Sequence, residues 1–329
     1  MTTQPLVIDG NNLVKRCIMA SALDDLKTEG TCTGGLYGTL TMLTSHLSNW
    51  TRDRGMTVGP IYVFFDNGVP LFRMNLLPYY KSGRKEKKQM MTEEQKERVM
   101  LQLDASWELF EKCGCVVGSY KDREADDVVA AAVQVLASCG YTPIVASSDR
   151  DLLQTVAMGA AVWKLDDGDL ITASNFEDKV GVPMTHYLLY KTLMGDNSDS
   201  IPGARGVAEK IALDLVLEVR ARHARLIDPY LQLKDVISFI ASKEKHKKYE
   251  DGIIADEARL FNEMKGISLA VSFGATTGLE DKLCQTGAFD VMTFLRWAKS
   301  WKFNSVLGTP DRFTKPLALA ASHWKEIAG

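Results

Sequence analysis

Nine acidic residues in the first two-thirds of this 329-residue chain occur in separate groups, at points where the local pattern changes. Carboxylates gathered in one place repel one another strongly unless cations neutralise them. An all-oxygen set suits Mg²⁺ or Mn²⁺ rather than zinc, and metal ions held by carboxylates can cleave a phosphodiester. The nine residues are Asp9, Asp66, Glu124, Asp126, Asp127, Asp149, Asp151, Asp196 and Asp199.

Three of these acids follow short apolar runs that read as strands. The runs and their acids are residues 6–8 with Asp9, 61–65 with Asp66, and 143–146 with Asp149. Strand and helix signals alternate over the first ~190 residues, which predicts a parallel α/β sheet. Since ligands of such sheets bind at the carboxyl ends of the strands, we expect the three acids to share one cleft.

The remaining acids also have ordinary structural explanations. Glu124, Asp126 and Asp127 begin a predicted helix over 124–139, where they favour the positive helix end. Asp149 with Asp151 is typical of a helix cap, and Asp196 with Asp199 is typical of a turn. Each explanation is fair alone. The recurrence of acids at converging strand ends favours a shared metal site.

A second signal is basic. Residues 79–88 hold five positive residues and one negative residue, a local net charge of +4. Cations beside tyrosines suit single-stranded nucleic acid, because cations meet phosphates and aromatic rings stack on bases. A solvated surface run is the alternative. The candidate contacts in and near this stretch are Arg73, Tyr80, Lys81, Arg84 and Lys85.

A third signal is a glycine-bearing loop between a predicted helix over 187–194 and an amphipathic helix that ends near residue 218. Glycines before a helix let backbone N–H groups approach a phosphate closely. The loop therefore predicts a grip on a duplex backbone without base readout, and an ordinary connector is the alternative. Its candidate residues are Gly203, Arg205, Gly206 and Lys210.

The composition of the chain indicates its general class but not its site. A hydrophobic fraction of 46% supports a folded core. The net charge of −3 argues against a nucleic-acid binder, but local patches decide contacts with phosphate. The sequence shows no secretory signal and no run of 18 apolar residues, so we expect a cytoplasmic protein without membrane spans. The six cysteines and five histidines lack metal-ligand spacing, which indicates reduced thiols.

Taken together, these stretches resemble the 5′ nuclease family: the 5′→3′ nuclease domain of bacterial DNA polymerase I, phage 5′ exonucleases and flap endonucleases. The resemblance extends over roughly residues 6 to 215 in the family's order. The matching stretches are residues 8–12, 33–38, 65–66, 80–84, 124–127, 149–151 and 193–203.

The resemblance implies a PIN-like domain over residues 1–190, with a basic arch around 79–110. Residues 191–329 would hold a helix–three-turn–helix (about 187–220) and a helical C-terminal region. It implies that the nine acids bind two Mg²⁺ or Mn²⁺ ions, with Glu124, Asp126, Asp149 and Asp151 as inner ligands. Lys81 and Arg84 would contact the scissile phosphate. K⁺ would bind the loop over residues 203–210, although Ala208 stands where the family often has a third glycine.

The sequence thus predicts a monomeric, metal-dependent 5′→3′ exonuclease and flap endonuclease. Its substrates would be DNA 5′ ends, 5′ flaps or RNA primers on DNA, in replication or repair, where replication proteins could recruit it. Two ions about 4 Å apart would activate water and stabilise the leaving oxygen. Two rivals stay open. A PIN-like ribonuclease of single-stranded RNA would not need the duplex grip. A non-catalytic junction-binding protein would have lost several acids, whereas all nine are present.

Overall fold

The computed structural model describes residues 3–20, 26–28, 30–84, 91–223, 225–242, 249–269 and 278–323. The chain divides into two compact units. The first comprises Met1–Val69, Thr92–Leu170 and Ser272–Gly329, and the second comprises Pro70–Met91 and Ile171–Val271. The predicted site residues are distributed over both units.

The strands form a mostly parallel sheet. Six of them lie in the order β5-β4-β1-β6-β7-β8, while β2 and β3 form an antiparallel pair. The neighbours from β5 to β7 in this order all run parallel. The predicted α/β class is confirmed. The strands are β1 Gln4–Asp9, β2 Lys27–Thr28, β3 Thr31–Cys32, β4 Val58–Phe65, β5 Val116–Ser119, β6 Ile144–Ser147, β7 Ala161–Lys164 and β8 Leu170–Ile171.

The central strands are apolar along their length because helices cover both faces of the sheet. Every residue of β4 is buried, and so are five of the six residues of β1. Ile8 on β1 lies beside Val63 of β4 on one side and Ala146 of β6 on the other. This register aligns the carboxyl ends of the three strands at one edge.

Helices surround the sheet of the first unit. Leu36, Leu40, Leu43 and Leu47 form a buried apolar stripe on Gly34–Arg54, which packs this longest helix into the core. A capping box between Thr92 and Gln95 begins another helix. The helices are Gly10–Ile18, Gly34–Arg54, Glu93–Lys112, Ala125–Ser138, Leu279–Leu283, Val291–Ser300, Asn304–Gly308 and Pro310–Ser322, with a 3₁₀ segment at Arg150–Met158.

The C-terminal helices belong to this first unit. Phe294, Trp297 and Phe313 are buried in the same apolar cluster as β1 and β4. The packing is close at Gly59, where an added Cβ would lie 2.3 Å from the carbonyl oxygen of Ala320. The units therefore place Ser272–Gly329 with the sheet. The predicted functional division at residue 190 stays a prediction.

The second unit is mainly helical where the structure describes it. Tyr187–Met194 and Glu209–Arg222 flank the glycine-bearing loop, as the predicted helix–three-turn–helix requires. The helices of this unit are Leu71–Leu76, Phe176–Val180, Tyr187–Met194, Glu209–Arg222, Pro229–Ser242, Glu250–Ile253 and Glu257–Ile267, with a 3₁₀ turn at Met184–His186.

Two further expectations concern cysteines and membranes. Cys17, Cys113 and Cys115 are buried, whereas Cys139 and Cys284 are exposed. The reduced state of the cysteines stays a prediction. Among the described residues, none of the helices combines the length and apolar character that a bilayer span requires.

Candidate metal centre and nucleic-acid interface

Three acids stand at the carboxyl edge of neighbouring strands. Asp9 ends β1, Asp66 follows β4, and Asp149 comes two residues after β6. One oxygen of each carboxylate accepts a hydrogen bond from a backbone N–H near a helix start. These bonds are 2.9 Å from Asn12 to Asp9, 2.9 Å from Ala125 to Asp66, and 2.9 Å from Asp151 to Asp149. The three acids therefore accept hydrogen bonds at helix starts and also converge at one edge of the sheet.

The pKa of Asp9 shows that these acids act on one another. Burial raises the pKa of Asp9 to about 7, and the charges of Asp66 and Asp149 add to the rise. The Asn12 N–H and the Lys15 ammonium oppose it. The three strand-end acids thus form one electrostatic cluster. A buried carboxylate beside two like charges is poorly compensated, and a divalent cation would correct this.

A stability measurement tests this cluster. Because the folded-state pKa of Asp9 is raised from 3.8 to about 7, its favourable contribution is present below pH 4 and is lost as pH rises towards 7. In EDTA, we expect Asp9→Asn to raise the free energy of unfolding at pH 8 by up to about 4 kcal/mol, and by little at pH 4. Urea unfolding at both pH values measures this difference. The exposed Asp311→Asn is the control, and an equal gain at both pH values would contradict the assignment.

The tightest carboxylate group among the described residues lies at the start of Ala125–Ser138. Glu124, Asp126 and Asp127 each offer one oxygen, and these oxygens lie within 4.8 Å of one another. Glu124 is the N-cap residue, and both Glu124 and Asp127 are buried. Asp66 connects this group to the strand edge, since it accepts the N–H of Ala125. Buried oxygen donors at this spacing suit Mg²⁺.

Asp149 and Asp151 lie at the start of the 3₁₀ segment Arg150–Met158. They are not members of the compact group of three. Ser147 connects Asp149 to the cluster, because its Oγ accepts the Asp149 N–H at 3.0 Å and donates to Asp9 at 3.4 Å. The structure therefore brings Asp149 towards Asp9 through a serine that was not predicted.

Asn12 is another positioning residue that was not predicted. Its N–H donates to Asp9, and its Oδ1 accepts the N–H of Ser148 at 2.9 Å. It therefore fixes the ends of β1 and β6 relative to each other. The signal available in the sequence was its place in the stretch over residues 8–12 that matches the nuclease family.

The other two predicted metal ligands belong to the second unit. Asp196 accepts hydrogen bonds from Lys191 Nζ at 2.8 Å and from the N–H and Oγ of Ser198 at 2.8 and 2.7 Å. Burial alone would raise the pKa of Asp196, but the bonds from Lys191 and Ser198 outweigh it and lower the pKa to about 2. Asp196 is thus an ionised, well-compensated carboxylate.

Asp199 anchors the basic segment. Its carboxylate accepts hydrogen bonds from Tyr80 at 2.9 Å and from Arg84 at 2.6 Å, and it lies 3.9 Å from Lys81 Nζ. Its carbonyl oxygen also accepts the Lys81 N–H at 2.8 Å. The two predicted catalytic cations therefore share one buried carboxylate. Whether Asp196 and Asp199 also bind metal stays a prediction.

The predicted nucleic-acid contacts differ in exposure. Arg73 is buried and donates to the carbonyl oxygen of Gly266 at 2.8 Å, so it supports the interior of the second unit. Arg205 is exposed, but its guanidinium forms a bidentate pair with Asp256 at 2.8 and 3.2 Å. Lys210 is exposed in the first turn of Glu209–Arg222. Lys85 lies outside the described residues.

The glycines of the loop have two different roles. Gly195 and Gly203 both have positive φ, and an added Cβ at Gly203 would lie 2.4 Å from the Gly195 nitrogen. They close the loop on itself. Gly206 also has a positive φ, of 76°, but a Cβ there would meet nothing within 4 Å. The space beside Gly206 is therefore open, unlike the space beside Gly195 and Gly203.

A partly buried ion pair connects this loop to the basic segment within the second unit. Arg259 donates to the carbonyl oxygen of Gly203 at 2.9 Å and pairs with Glu263 at 2.5 Å. Glu263, which is fully buried, also accepts the hydroxyl of Tyr79 at 2.7 Å. Sequence reasoning did not find Arg259 or Glu263, since they lie in a helix without a recognisable motif.

Comparison with known families gives a match over the sheet. The family model described as "5′-3′ exonuclease, N-terminal resolvase-like domain" matches residues 4–181, more than half of the chain. The matched region includes the three strand-end acids and the carboxylate group that begins Ala125–Ser138.

The similar proteins are mostly longer. DNA polymerase I of Mycobacterium bovis is 30% identical over 218 residues, which is 65% of this chain and 23% of the polymerase. The thermostable DNA polymerase I of Thermus filiformis is 32% identical over 213 residues, again 65% and 23%. A 5′-3′ exonuclease of Buchnera aphidicola is 25% identical over 189 residues, 57% of this chain and 62% of that protein. The chain thus spans less than a quarter of these polymerases.

Solved structures share the fold. The zinc-bound T5 5′-exonuclease superposes with a TM-score of 0.66 at 20% identity, and the match covers 85% of this chain and 97% of that one. The flap endonuclease of bacteriophage T5, in a pseudo-enzyme–product complex with DNA and metal ions, gives 0.63 at 19% identity over 99% of both chains. At these identities the likeness establishes the architecture.

Proposed function

Since the chain belongs to the 5′-3′ exonuclease family, we propose that it hydrolyses phosphodiesters at DNA 5′ ends, 5′ flaps and RNA primers annealed to DNA, in a metal-dependent reaction. The observation that carries this proposal is the acidic edge of the first unit. There the Glu124 group and the Asp9 cluster are joined through Asp66. The proposal extends to a cytoplasmic monomer that works with replication proteins.

The donor set fits divalent cations. Seven carboxylates belong to the first unit, Asp9, Glu124 and Asp127 are buried, and the charge on Asp9 is poorly compensated without a cation. Bound there, two Mg²⁺ or Mn²⁺ ions would supply an activated water and stabilise the leaving oxygen. The residues proposed to hold them are Asp9, Asp66, Glu124, Asp126, Asp127, Asp149 and Asp151, with Asp196 and Asp199 as outer members.

Lys81 and Arg84 are proposed to offset negative charge on the phosphate oxygens. Lys81 has a φ of 55°, which is uncommon for a residue with a side chain and often occurs at functional sites. The bond from its N–H to Asp199 holds this conformation, and its ammonium lies 4.9 Å from the centre of the Tyr80 ring. The second unit therefore fixes the direction of the lysine before a substrate binds.

The loop over residues 203–210 is proposed to hold the duplex backbone. Gly206 offers an unobstructed backbone approach and Lys210 offers an exposed charge. The proposed K⁺ would bind the carbonyl groups of this loop. Because the Arg205 guanidinium is paired with Asp256, we assign Arg205 to loop positioning and leave the phosphate contact to Lys210.

One experiment tests the proposed function against its rivals. A DNA duplex with a 5′-labelled flap and an unstructured RNA of equal length are incubated with the protein in Mg²⁺ and in EDTA. We expect Mg²⁺-dependent cuts near the flap junction, read at nucleotide resolution, and little cleavage of the RNA. Preferential cleavage of the RNA would favour a single-strand ribonuclease. Binding of the flap without any turnover would favour a junction-binding protein.

The duplex grip has its own test in the salt dependence of binding. We expect Lys210→Ala to weaken duplex binding about equally for all sequences and to reduce the slope of log K against log salt by about 1. Titration in EDTA at several salt concentrations measures the slope. Lys164→Ala, which removes a lysine paired with Asp167, is the matched control and should leave the slope unchanged.

A further inference from the structure

A cavity of about 940 Å³ lies in the first unit, beside the carboxyl edge of the sheet. Its walls come from the helices Gly10–Ile18 and Gly34–Arg54 and from Ser148 after β6. Met19, Met42 and Tyr37 give it a largely apolar lining. Its size lies at the upper end of the range for small-ligand pockets. Neither the predicted metal ligands nor the predicted nucleic-acid contacts line it.

Two hydroxyl groups that line this cavity have no hydrogen-bond partner within the described part of the chain. Thr41 Oγ1 and Ser148 Oγ are buried, and no partner for either is found among the residues that the structure describes. An unsatisfied buried hydroxyl is costly, and such groups are rare unless water or a ligand supplies the partner. Thr44 on the same helix shows the usual arrangement, since its hydroxyl donates to the Leu40 carbonyl oxygen at 2.8 Å.

The charges and surroundings of the cavity indicate its ligand. Lys15 and Arg16 are exposed residues of its lining and supply positive charge beside an apolar interior. The Lys15 ammonium also lies 3.8 Å from Asp66, so Arg16 is the cation that the acidic edge leaves to the cavity. The Tyr37 ring has a defined orientation, because its hydroxyl accepts a bond from Ser305 at 2.9 Å and its ring packs edge-on against Phe303. A nucleotide matches this combination of an apolar interior, an aromatic ring and nearby cations, because it carries a flat base with polar edges and a phosphate.

The cavity is also directly connected to the strand-end acids. Ser148 lies between Ser147, which donates to Asp9, and Asp149. Asn12, another lining residue, bonds to both Ser148 and Asp9. A nucleotide held here would therefore be a close neighbour of any phosphodiester presented to those acids.

We propose that this cavity binds one nucleotide of the cleaved strand, the one next to the scissile phosphodiester, with its base inside and its phosphate at Lys15 and Arg16. The proposal rests on the proposed nuclease function for the identity of the strand. Thr41 and Ser148 would hydrogen-bond the edge of the base. The cavity would thus fix how far the strand advances, and so where the cut falls.

The test measures binding without catalysis. The probe is a single-stranded oligonucleotide with 2-aminopurine as its 5′-terminal base, with or without a 5′-phosphate, titrated in EDTA. We expect a change in fluorescence on binding to the wild-type protein. Ser45→Phe, which fills the cavity, should weaken binding at least about tenfold, and Thr41→Val should weaken it between about twofold and tenfold. Thr44→Val should bind as the wild type does.

A surface variant keeps the test informative if a cavity variant does not fold. Arg16→Gln should weaken binding of the 5′-phosphorylated probe and leave binding of the unphosphorylated probe unchanged. Equal fluorescence changes and affinities for the wild type, Ser45→Phe and Arg16→Gln would overturn the proposal. Because the assay uses EDTA, its outcome is independent of cleavage. A protein that cuts flaps but ignores these substitutions would retain the nuclease function and lose the nucleotide site.

Discussion

The double variant Asp126→Asn, Asp149→Asn is expected to lose cleavage of a 5′-flapped duplex by at least about 10³-fold while it still binds the duplex. Metal ions contribute several kcal/mol of transition-state stabilisation, and each 1.4 kcal/mol is a factor of ten in rate. The two substitutions remove one carboxylate from the Glu124 group and one from the strand edge. Both parts of the acidic edge therefore lose a charged donor.

Binding should persist because the proposed duplex grip lies elsewhere in the chain. Neutralising two acids also reduces repulsion of the phosphate backbone, so the Kd in EDTA should be equal to or lower than that of the wild type. Single-turnover cleavage in Mg²⁺ and a binding titration in EDTA separate the two effects. Full cleavage by this double variant would falsify the metal-site assignment.

The control is chosen from acids that the structure gives another role. Asp166 and Asp167 lie in the same unit, in the turn between β7 and β8, where both pair with Lys164. Asp166→Asn, Asp167→Asn changes the net charge by the same amount and should leave cleavage within about twofold, the range expected of surface substitutions. Loss of activity in both double variants would indicate a general effect of charge.

The sequence predicted the sheet and its acidic edge well because both follow from local patterns. Buried parallel strands are apolar runs, and an acid at or just beyond the end of such a run must lie near the carboxyl edge. Asp9, Asp66 and Asp149 are therefore found where the alternation placed them. Glu124 could be predicted equally well, because the start of a helix limits where the side chain of its N-cap residue can lie.

The parts that escaped prediction depend on contacts between distant segments. Asp199 pairs with Arg84, and Glu263 pairs with Arg259 and Tyr79, through bonds that no single segment reveals. Arg73 was predicted as a nucleic-acid contact, yet it is buried and donates to the carbonyl oxygen of Gly266. The positive charge of Arg73 in the sequence did not distinguish a phosphate contact from a buried structural residue.

The same reasoning applies to the C-terminal region. The resemblance implied its helical character. Its place against the sheet depends on Phe294, Trp297 and Phe313, which are buried in the same apolar cluster as residues of β1 and β4. Tertiary packing of this kind has no periodic signature in the sequence. It also explains why a resemblance that ended near residue 215 did not foresee the role of the last helices.

The second large effect is expected from Lys81→Ala, which should lower kcat by about 10² to 10³-fold and change KM little. Loss of one preorganised positive donor at a developing charge typically has this magnitude. The structure holds Lys81 by its backbone bond to Asp199, so the alanine variant should keep the fold of the segment. Lys96→Ala, which removes a lysine paired with Glu93, is the matched control and should cut normally.

Asp199→Asn then distinguishes an anchor from a metal ligand. As an anchor, Asp199 orders Tyr80, Lys81 and Arg84. The amide of Asp199→Asn can still accept some of these hydrogen bonds. The kcat should therefore fall less than in Lys81→Ala. Raising the Mg²⁺ concentration would not restore that loss. As a metal ligand, the same substitution would raise the Mg²⁺ concentration needed for half-maximal rate, and excess Mg²⁺ would restore cleavage. A magnesium titration of the wild type and the two variants therefore decides which role Asp199 has, because only loss of a ligand shifts the midpoint.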